Sequence, residues 1–580
     1  MANRRIAVPV LLLGAALALA WSGENKAVVE WVGAHAVRLQ TPEAGHGFAD
    51  MQPLKKMIGD ARIVSLGEAT HGSREFFQLK HRMLEFLATE MGFTIFSIEA
   101  NMPEAYRLND YVLTGRGDPA KLIKGMYFWT WDTQEVLDMV LWMREFNKSG
   151  KGRVEFTGFD MQTPGVAAGI VSDFVGASDP DYAASVRQAK AQAEQSGQVA
   201  NGFGVATARF PVKDAAGKHV RFSGYIKTKG VSSGFAGLWW RVDGPSGILA
   251  FDNMQSRGVT GTTDWKRYDI ELPVAANATN INFGALLAGT GTAWFDGLSV
   301  ELDGKPYLDT NAFDLDFESS PPRGFYTGGA GYSVQPDSET FHDGKQSLRM
   351  THEVSANKSN SGDPKAASST WTGIVRHLED ARQSYIKKGI APRDIEWAVQ
   401  NARVVLQCMQ LKSGEVTRDQ SMADNVKWIL DNNPGARIVL WAHNGHVATA
   451  GGAGFVPMGV SLRKMFGTQM VVFGFAFNQG SFQAIEPNKG LHDFTVGPAP
   501  PGSLDATLGA TGIPLFAVDL RGIPKSSPVG SWLSEPHSTR SIGSTFSQES
   551  GDQFMFDMKT ADSFDAILFV EKTTAARRNP

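Results

Sequence analysis

The sequence predicts an α/β protein with a mainly parallel β-sheet core flanked by helices, into which an all-β domain is inserted. Three observations carry this reading. From about residue 60 to 165, short runs rich in Val, Ile and Phe alternate with longer stretches of helical period, the mark of βαβ units. From about 195 to 355, Gly, Ser, Thr and Asn rise and helical periodicity gives way to alternation. Beyond 356 the first texture returns. At 580 residues the chain exceeds what one core usually organises, roughly 150 residues per domain. The expected division is therefore a leader at 1–21, α/β at 22–195, the β insertion at 196–355 and α/β again at 356–580.

The elements follow in chain order. Arg4 and Arg5 precede the apolar run Ile6 to Ala20, which closes on Ala18-Leu19-Ala20, a small-residue pattern suited to signal peptidase. That run is shorter than the ~20 residues a membrane-spanning helix needs. A cleaved leader and a periplasmic or secreted protein are expected, with no stable membrane span after cleavage. Strands are expected at Ile63 to Leu66, Phe93 to Ile98 and Val154 to Phe159. Between them lie two helices: Glu75 to Met91, with Phe76, Leu79, Met83, Phe86 and Leu87 on one stripe, and Pro103 to Leu113. In the insertion, Val220-Arg221-Phe222-Ser223-Gly224-Tyr225-Ile226 alternates as a half-buried strand should. Helical patterns run from Trp371 to Leu430, and apolar strands follow at Arg437 to Trp441, Met470 to Phe475, Leu515 to Val518 and Ala566 to Val570.

Composition excludes several classes of function. Apolar residues make up 42%, charged residues 20%, and the net charge is -4, which leaves no basic surface to recruit nucleic acid or an anionic membrane. Cys408 is the only cysteine, so internal disulfides and thiolate zinc clusters are excluded. Its setting, Val404-Val405-Leu406-Gln407-Cys408-Met409, suits a buried small hydrophobe rather than a nucleophile.

Four of the apolar runs end in chemically capable residues: Glu68, Glu99, Asp160 and His443. In open α/β sheets ligands bind beyond the carboxyl ends of the strands, so parallel neighbours would bring these four to one rim. A single carboxylate there is more often a helix cap; four together point to a site. Glu68-Ala69-Thr70-His71 and His443-Asn444-Gly445-His446 each add a second functional group across a tight turn. Taken singly, His71 reads as a helix cap or the partner of a carboxylate, and His446 as a residue packed on Trp441.

At these residues the sequence resembles the erythromycin esterase family, hydrolases that open the macrolactone ring of antibiotics. The resemblance rests on Leu66-Gly67-Glu68-Ala69-Thr70-His71-Gly72-Ser73-Arg74-Glu75-Phe76-Phe77, then Ile98-Glu99-Ala100, Gly158-Phe159-Asp160-Met161-Gln162, Arg418-Asp419 with Met422, and Trp441-Ala442-His443-Asn444-Gly445-His446. It implies that His71 is the general base acting on water, that Glu68 and Glu99 orient it, and that His443 and His446 position or polarise a carboxylic ester or macrolactone. Arg74, Lys80, Asp160, Arg418 and Asp419 are the expected substrate contacts. Where the family leads one to expect arginine on the helix after His71, this chain has Lys80, with Arg82 nearby; lysine lacks the bidentate fork. The one Gly-x-Ser-x-Gly match, Gly230-Val231-Ser232-Ser233-Gly234, falls within the all-β stretch rather than at a strand-to-helix turn, which argues against a serine esterase of the α/β-hydrolase kind.

Two other readings stay open on the residues alone. Two carboxylates and three imidazoles also suit a divalent metal, as in a metal-dependent hydrolase or peptidase, although the resemblance implies no cofactor. A glycan-binding protein with an inactive hydrolase core is the third, against which the intact Glu68, His71, Glu99, His443 and His446 speak. The stretch Gly202 to Tyr307 resembles jelly-roll sandwiches of carbohydrate-binding type, and Leu315 to Arg349 resembles the opening strands of another. Adjacent residues of a strand face opposite ways, so one of Trp239 and Trp240 is expected in the core and the other is a candidate platform for a glycan.

Overall fold

The computed structural model describes residues 26–579, except 198–202, 245–246, 256, 310, 330–331, 353–363, 452–454, 487–489 and 549–553. The leader expected at 1–21 lies outside the described residues. Nine strands form the main sheet, eight of them in the spatial order Val37–Arg38, Leu515–Asp519, Ala566–Thr573, Met470–Glu486, Ile63–Leu66, Ile438–Trp441, Ile95–Asn101, Glu155–Asp160. The last six of these run parallel. Leu515–Asp519 is antiparallel to its neighbour, and Gly490–Val496 folds back on the long Met470–Glu486 strand.

Alternation decides what each strand residue does. Ile63, Ile438, Leu440 and Val472 pack into one core with the helices Gly165–Ser178, Pro364–Asp380, Pro392–Ser413 and Arg418–Asp431. Val64, Leu66, Val439, Trp441 and Phe473 pack into the other, under Arg74–Met91 and Gln134–Lys148. With helices on both faces the central strands are buried throughout, which is why they read as continuous apolar runs rather than alternating ones. Strand ends of the α/β part fall within three residues of the sequence reading, except that the Met470 strand runs on to Glu486; in the β part the strand expected at Val220 to Ile226 runs on to Gly244. Cys408 is buried in the first of these cores, and burial pushes its thiol up to about 11.

Between the two runs of α/β elements, ten antiparallel strands form one continuous network. Its spine is His219–Gly244, which pairs through its first half with Val259–Pro273 and Thr290–Leu302 and through its second half with Asn280–Ala288 and Gly247–Asp252. Phe210, Phe222, Trp240 and Phe283 cluster at its centre. Trp240 is the buried member of the tryptophan pair and Trp239 lies on the opposite face, half-buried. The stretch from Leu315 to Arg349 does not open another sandwich. Ser347–His352 pairs with Thr290–Leu302, Ser333–Asp337 pairs with Ser347–His352, and both complete the same network. The helix Ala183–Gly197 carries the α/β texture past residue 195. No helix among the described residues is long and apolar enough to cross a membrane.

Candidate active site

Register brings the strand ends together. Ile438 stands opposite Ile63 on one side and Ile95 on the other, so Leu66, Trp441 and Ile98 end abreast and Glu68, His443 and Glu99 follow at one rim. The turn after Leu66 must pass close to its neighbours. A Cβ at Gly67 would sit 2.1 Å from Asn444 Oδ1, and one at Gly72 would sit 2.1 Å from the Gln483 carbonyl oxygen. The Asn444 N–H donates to the Glu68 carbonyl at 2.8 Å, which ties the two turns together.

Glu68 is fully buried. Its Oε1 accepts from His71 Nδ1 at 2.6 Å, and its Oε2 accepts from Trp441 Nε1 at 2.7 Å and from Lys80 Nζ. Burial by itself would raise the Glu68 carboxyl, but Lys80 and His71 outweigh it and hold the group below the usual carboxylate range. Lys80 is likewise fully buried and lies 4.3 Å from the centre of the Trp441 ring. Burial brings its ammonium down to about 8 against the pull of Glu68. With Nδ1–H donated to Glu68, His71 has its lone pair on Nε2, the tautomer a general base requires.

Glu99 forms the second cluster. Its Oε1 takes Arg418 Nη2 at 2.7 Å and lies 3.4 Å from His446 Nε2, while its Oε2 accepts the backbone N–H of His443 at 3.0 Å. Burial opposes its ionisation, but His446, Arg418 and His71 hold it well below the usual range. Arg418 is shared, its Nε and Nη2 gripping both oxygens of buried Asp160 at 3.1 and 2.7 Å. Asp419 Oδ1 accepts from His446 Nδ1 at 2.8 Å and from the Met458 N–H at 2.8 Å. Burial works against charge on His446, but Glu99 and Asp419 prevail and raise its pKa.

His443 stands between the clusters, its ring centre 5.1 Å from that of His71. Its Nδ1 accepts the Gly445 N–H at 3.1 Å, which leaves the proton on Nε2. That Nε2–H is buried with no hydrogen-bond partner. Burial, with His71 and His446 adding to it, pushes the imidazole down to about 3, so it stays neutral at ordinary pH. An orphaned buried donor is costly and uncommon, and one placed beside a second imidazole can receive developing negative charge.

Of the residues expected at the site, Glu68, His71, Lys80, Glu99, Asp160, Arg418, Asp419, His443 and His446 come together. Arg74 does not: its Nε lies 3.7 Å from Glu135 and its backbone N–H donates to the Thr574 carbonyl at 2.9 Å. Lys80 bonds Glu68, Asp160 bonds Arg418, and Asp419 bonds His446. Arg82 turns away to Asp50, at 2.7 Å. Sequence reasoning missed Trp441 as a donor to Glu68, although it lies in the Trp441–His446 motif. It also missed Asn444, which bonds both the N–H and the carbonyl of Phe475. Nothing local marks Ile542, whose N–H returns to the Ala69 carbonyl at 2.7 Å.

The donors do not suit a divalent metal. Lys80 and Arg418, two cations, already stand against the carboxylates that would ligate it. Among the described residues no three His, Cys, Asp or Glu side chains gather as metal ligands.

The erythromycin esterase family matches residues 88–221 and 333–573, more than half of the chain. The chain belongs to the erythromycin esterase family. The matched segments contain Glu99, Asp160, Arg418, Asp419, His443 and His446, and the gap between them falls inside the β insertion; Glu68, His71 and Lys80 precede the match. Among curated relatives, erythromycin esterase type II of Escherichia coli is 32% identical over 159 residues, 26% of this chain and 37% of that protein. The chain thus spans little more than a third of that relative's length. In fold it is similar to a Bacillus cereus protein of known structure, with a TM-score of 0.61, 18% identity and coverage of 96% of this chain and 99% of that one. An erythromycin esterase mutant in its open conformation gives a TM-score of 0.50 at 12% identity, covering 92% and 96%.

Proposed function

We propose that this member of the erythromycin esterase family is a hydrolase that cleaves a carboxylic ester or macrolactone of a small molecule, with water activated by His71. The observation that carries the reading is the pairing of two rings. His71 is held by Glu68 with its basic nitrogen free, and neutral His443 beside it keeps a buried donor without a partner. His71 Nε2 removes a proton from water as the oxygen attacks the ester carbon. The resulting imidazolium is stabilised by Glu68. The oxyanion accepts from His443 Nε2–H, and collapse returns the proton from His71 to the departing alcohol. General-base help of this kind is worth ~10²- to 10⁴-fold. On the reading of the N-terminal run as a leader, the enzyme works in the periplasm or outside the cell, where a macrolide would be met before it enters.

The test is mass-spectrometric detection of ring-opened erythromycin and of simple carboxylic esters hydrolysed by purified protein, before and after exhaustive chelation. Hydrolysis is expected to survive chelation and to fall by ~10²-fold or more in His71→Ala with the fold intact. A near-normal rate in that variant removes the proposed base. Activity lost on chelation and restored by metal would make these residues ligands.

A further inference from the structure

A cleft of about 990 Å³ separates the β insertion from the hairpin Pro536–Arg540 and Met555–Lys559 of the α/β part. Its floor is the face of the insertion turned away from the core. Cross-strand register lays a row of four side chains over it: Phe251 opposes Arg241, Arg241 opposes Asn282, and Asn282 opposes Arg209. In the next row Trp239 opposes Gly284, which opposes Thr207, so no side chain stands directly beside the indole. Phe556, half exposed, supplies an aromatic group from the opposite wall.

The chemistry of the lining narrows the ligand. Arg241 is paired with Asp243 at 2.7 Å, and Asp243 also accepts from Asn280 at 3.0 Å. Two arginines, Arg209 and Arg241, face two aspartates, Asp243 and Asp557, so no excess positive charge draws an anion. An aliphatic ligand would strip water from Asn253, Gln255, Asn280 and Asn282 without replacing its hydrogen bonds, and each group left unpaired weakens binding. Rings that carry a C–H face for Trp239, Phe251 and Phe556 and hydroxyls for the amides satisfy both halves. The volume is at the upper end of the roughly 300–1,000 Å³ of ligand pockets, room for several rings.

The cleft is also tied to the main site. Ser538 lines it, and four residues later Ile542 bonds the carbonyl of Ala69, between Glu68 and His71. Four extended residues span at most roughly 14 Å. We propose that this cleft is a saccharide subsite, and that the ester attacked at His71 is carried on a neutral saccharide whose other rings lie against Trp239, Phe251 and Phe556. This rests on the ester-hydrolase reading of the main site.

The full chain is titrated calorimetrically with an array of neutral oligosaccharides of gluco, manno, galacto and xylo configuration, and assayed on their acetylated forms and on a small aryl ester. Binding is expected, and Trp239→Ala should weaken it about tenfold or more, the size of one lost aromatic contact. Phe251→Ala and Phe556→Ala, at half-exposed positions that do not threaten folding, should act in the same direction. In each variant KM for the acetylated saccharide rises while kcat and the aryl-ester rate stay unchanged. His71→Ala should bind saccharide normally. Hydrolysis of aryl ester with no binding to any member of the array overturns the subsite. Binding that depends on Trp239, in a protein that hydrolyses no ester, supports the subsite and overturns the ester reading.

Discussion

Glu68 and Glu99 flank His443 on the rim and use the same ingredients, a carboxylate, a cation and an imidazole, to different ends. The Glu68 cluster is sealed: the side chains of Glu68 and Lys80 are 0% exposed, and Trp441 closes it from the sheet. Its outlet is His71, 13% exposed. The Glu99 cluster is open, with Arg418 at 25% and His446 at 17%, and its cation is divided between Glu99 and Asp160. The first cluster fixes the tautomer of one imidazole. The second fixes a backbone, since Glu99 holds the His443 N–H and Asp419 holds both His446 and Met458.

The largest effects are expected at the two cations. Lys80→Met leaves the buried Glu68 without its cation, and removal of one partner from such a buried pair costs ~3–5 kcal/mol, read as a lower midpoint in denaturant. Arg418→Met uncovers two buried carboxylates, Glu99 and Asp160, and should cost at least as much. A markedly smaller loss would mean that water enters the Glu99 cluster and replaces the guanidinium. Next in size is His443→Ala, expected to lower kcat by ~10²- to 10³-fold, the effect of one lost oxyanion donor, with folding checked by circular dichroism. Retention of kcat would leave the orphaned Nε2–H without a role.

Acid should expose His443 differently. Its folded pKa of about 3 lies below the ordinary 6.5, so between those values the unfolded chain binds the extra proton. Stability from this group is complete above pH 6.5 and falls as pH drops toward 3, with a slope of up to ~1.4 kcal/mol per pH unit for one proton. His81, also pushed down to about 3 by burial, contributes in the same sense. Replacement by glutamine, His443→Gln, should therefore flatten the acid limb of stability against pH without abolishing it. An unchanged limb would show that His443 is protonated in the fold.

The rim was legible because strands buried on both faces read as continuous apolar runs, so the first polar residue after each run marked its carboxyl end. Glu68, Glu99, Asp160 and His443 were found that way. Direction was harder to read than position. Arg74 and Lys80 are both near His71 in sequence, yet helix geometry sends Arg74 to Glu135 and Lys80 beneath Glu68. Ile542 was invisible, since its bond to Ala69 spans hundreds of residues and involves only backbone. In the insertion, alternation gave opposite faces to Trp239 and Trp240. The path of Ser333–Asp337 and Ser347–His352 depends on long-range pairing that no local pattern records.

The smallest effect is expected behind the Glu99 cluster. Cys408 is buried, and its Sγ lies 3.4 Å from the carbonyl of Gln162, whose side chain donates to Asp160 at 2.6 Å. Cys408→Ala removes one sulfur from a packed core and should cost about 1 kcal/mol, seen as a small fall in melting temperature. Activity should not change. Asp160 is held by both fork nitrogens of Arg418 and by its own bond to the Met161 N–H, so a slight relaxation near Gln162 has little leverage on it. A fall in kcat larger than the loss of stability would show that the open cluster transmits strain to His443 and is more than a scaffold.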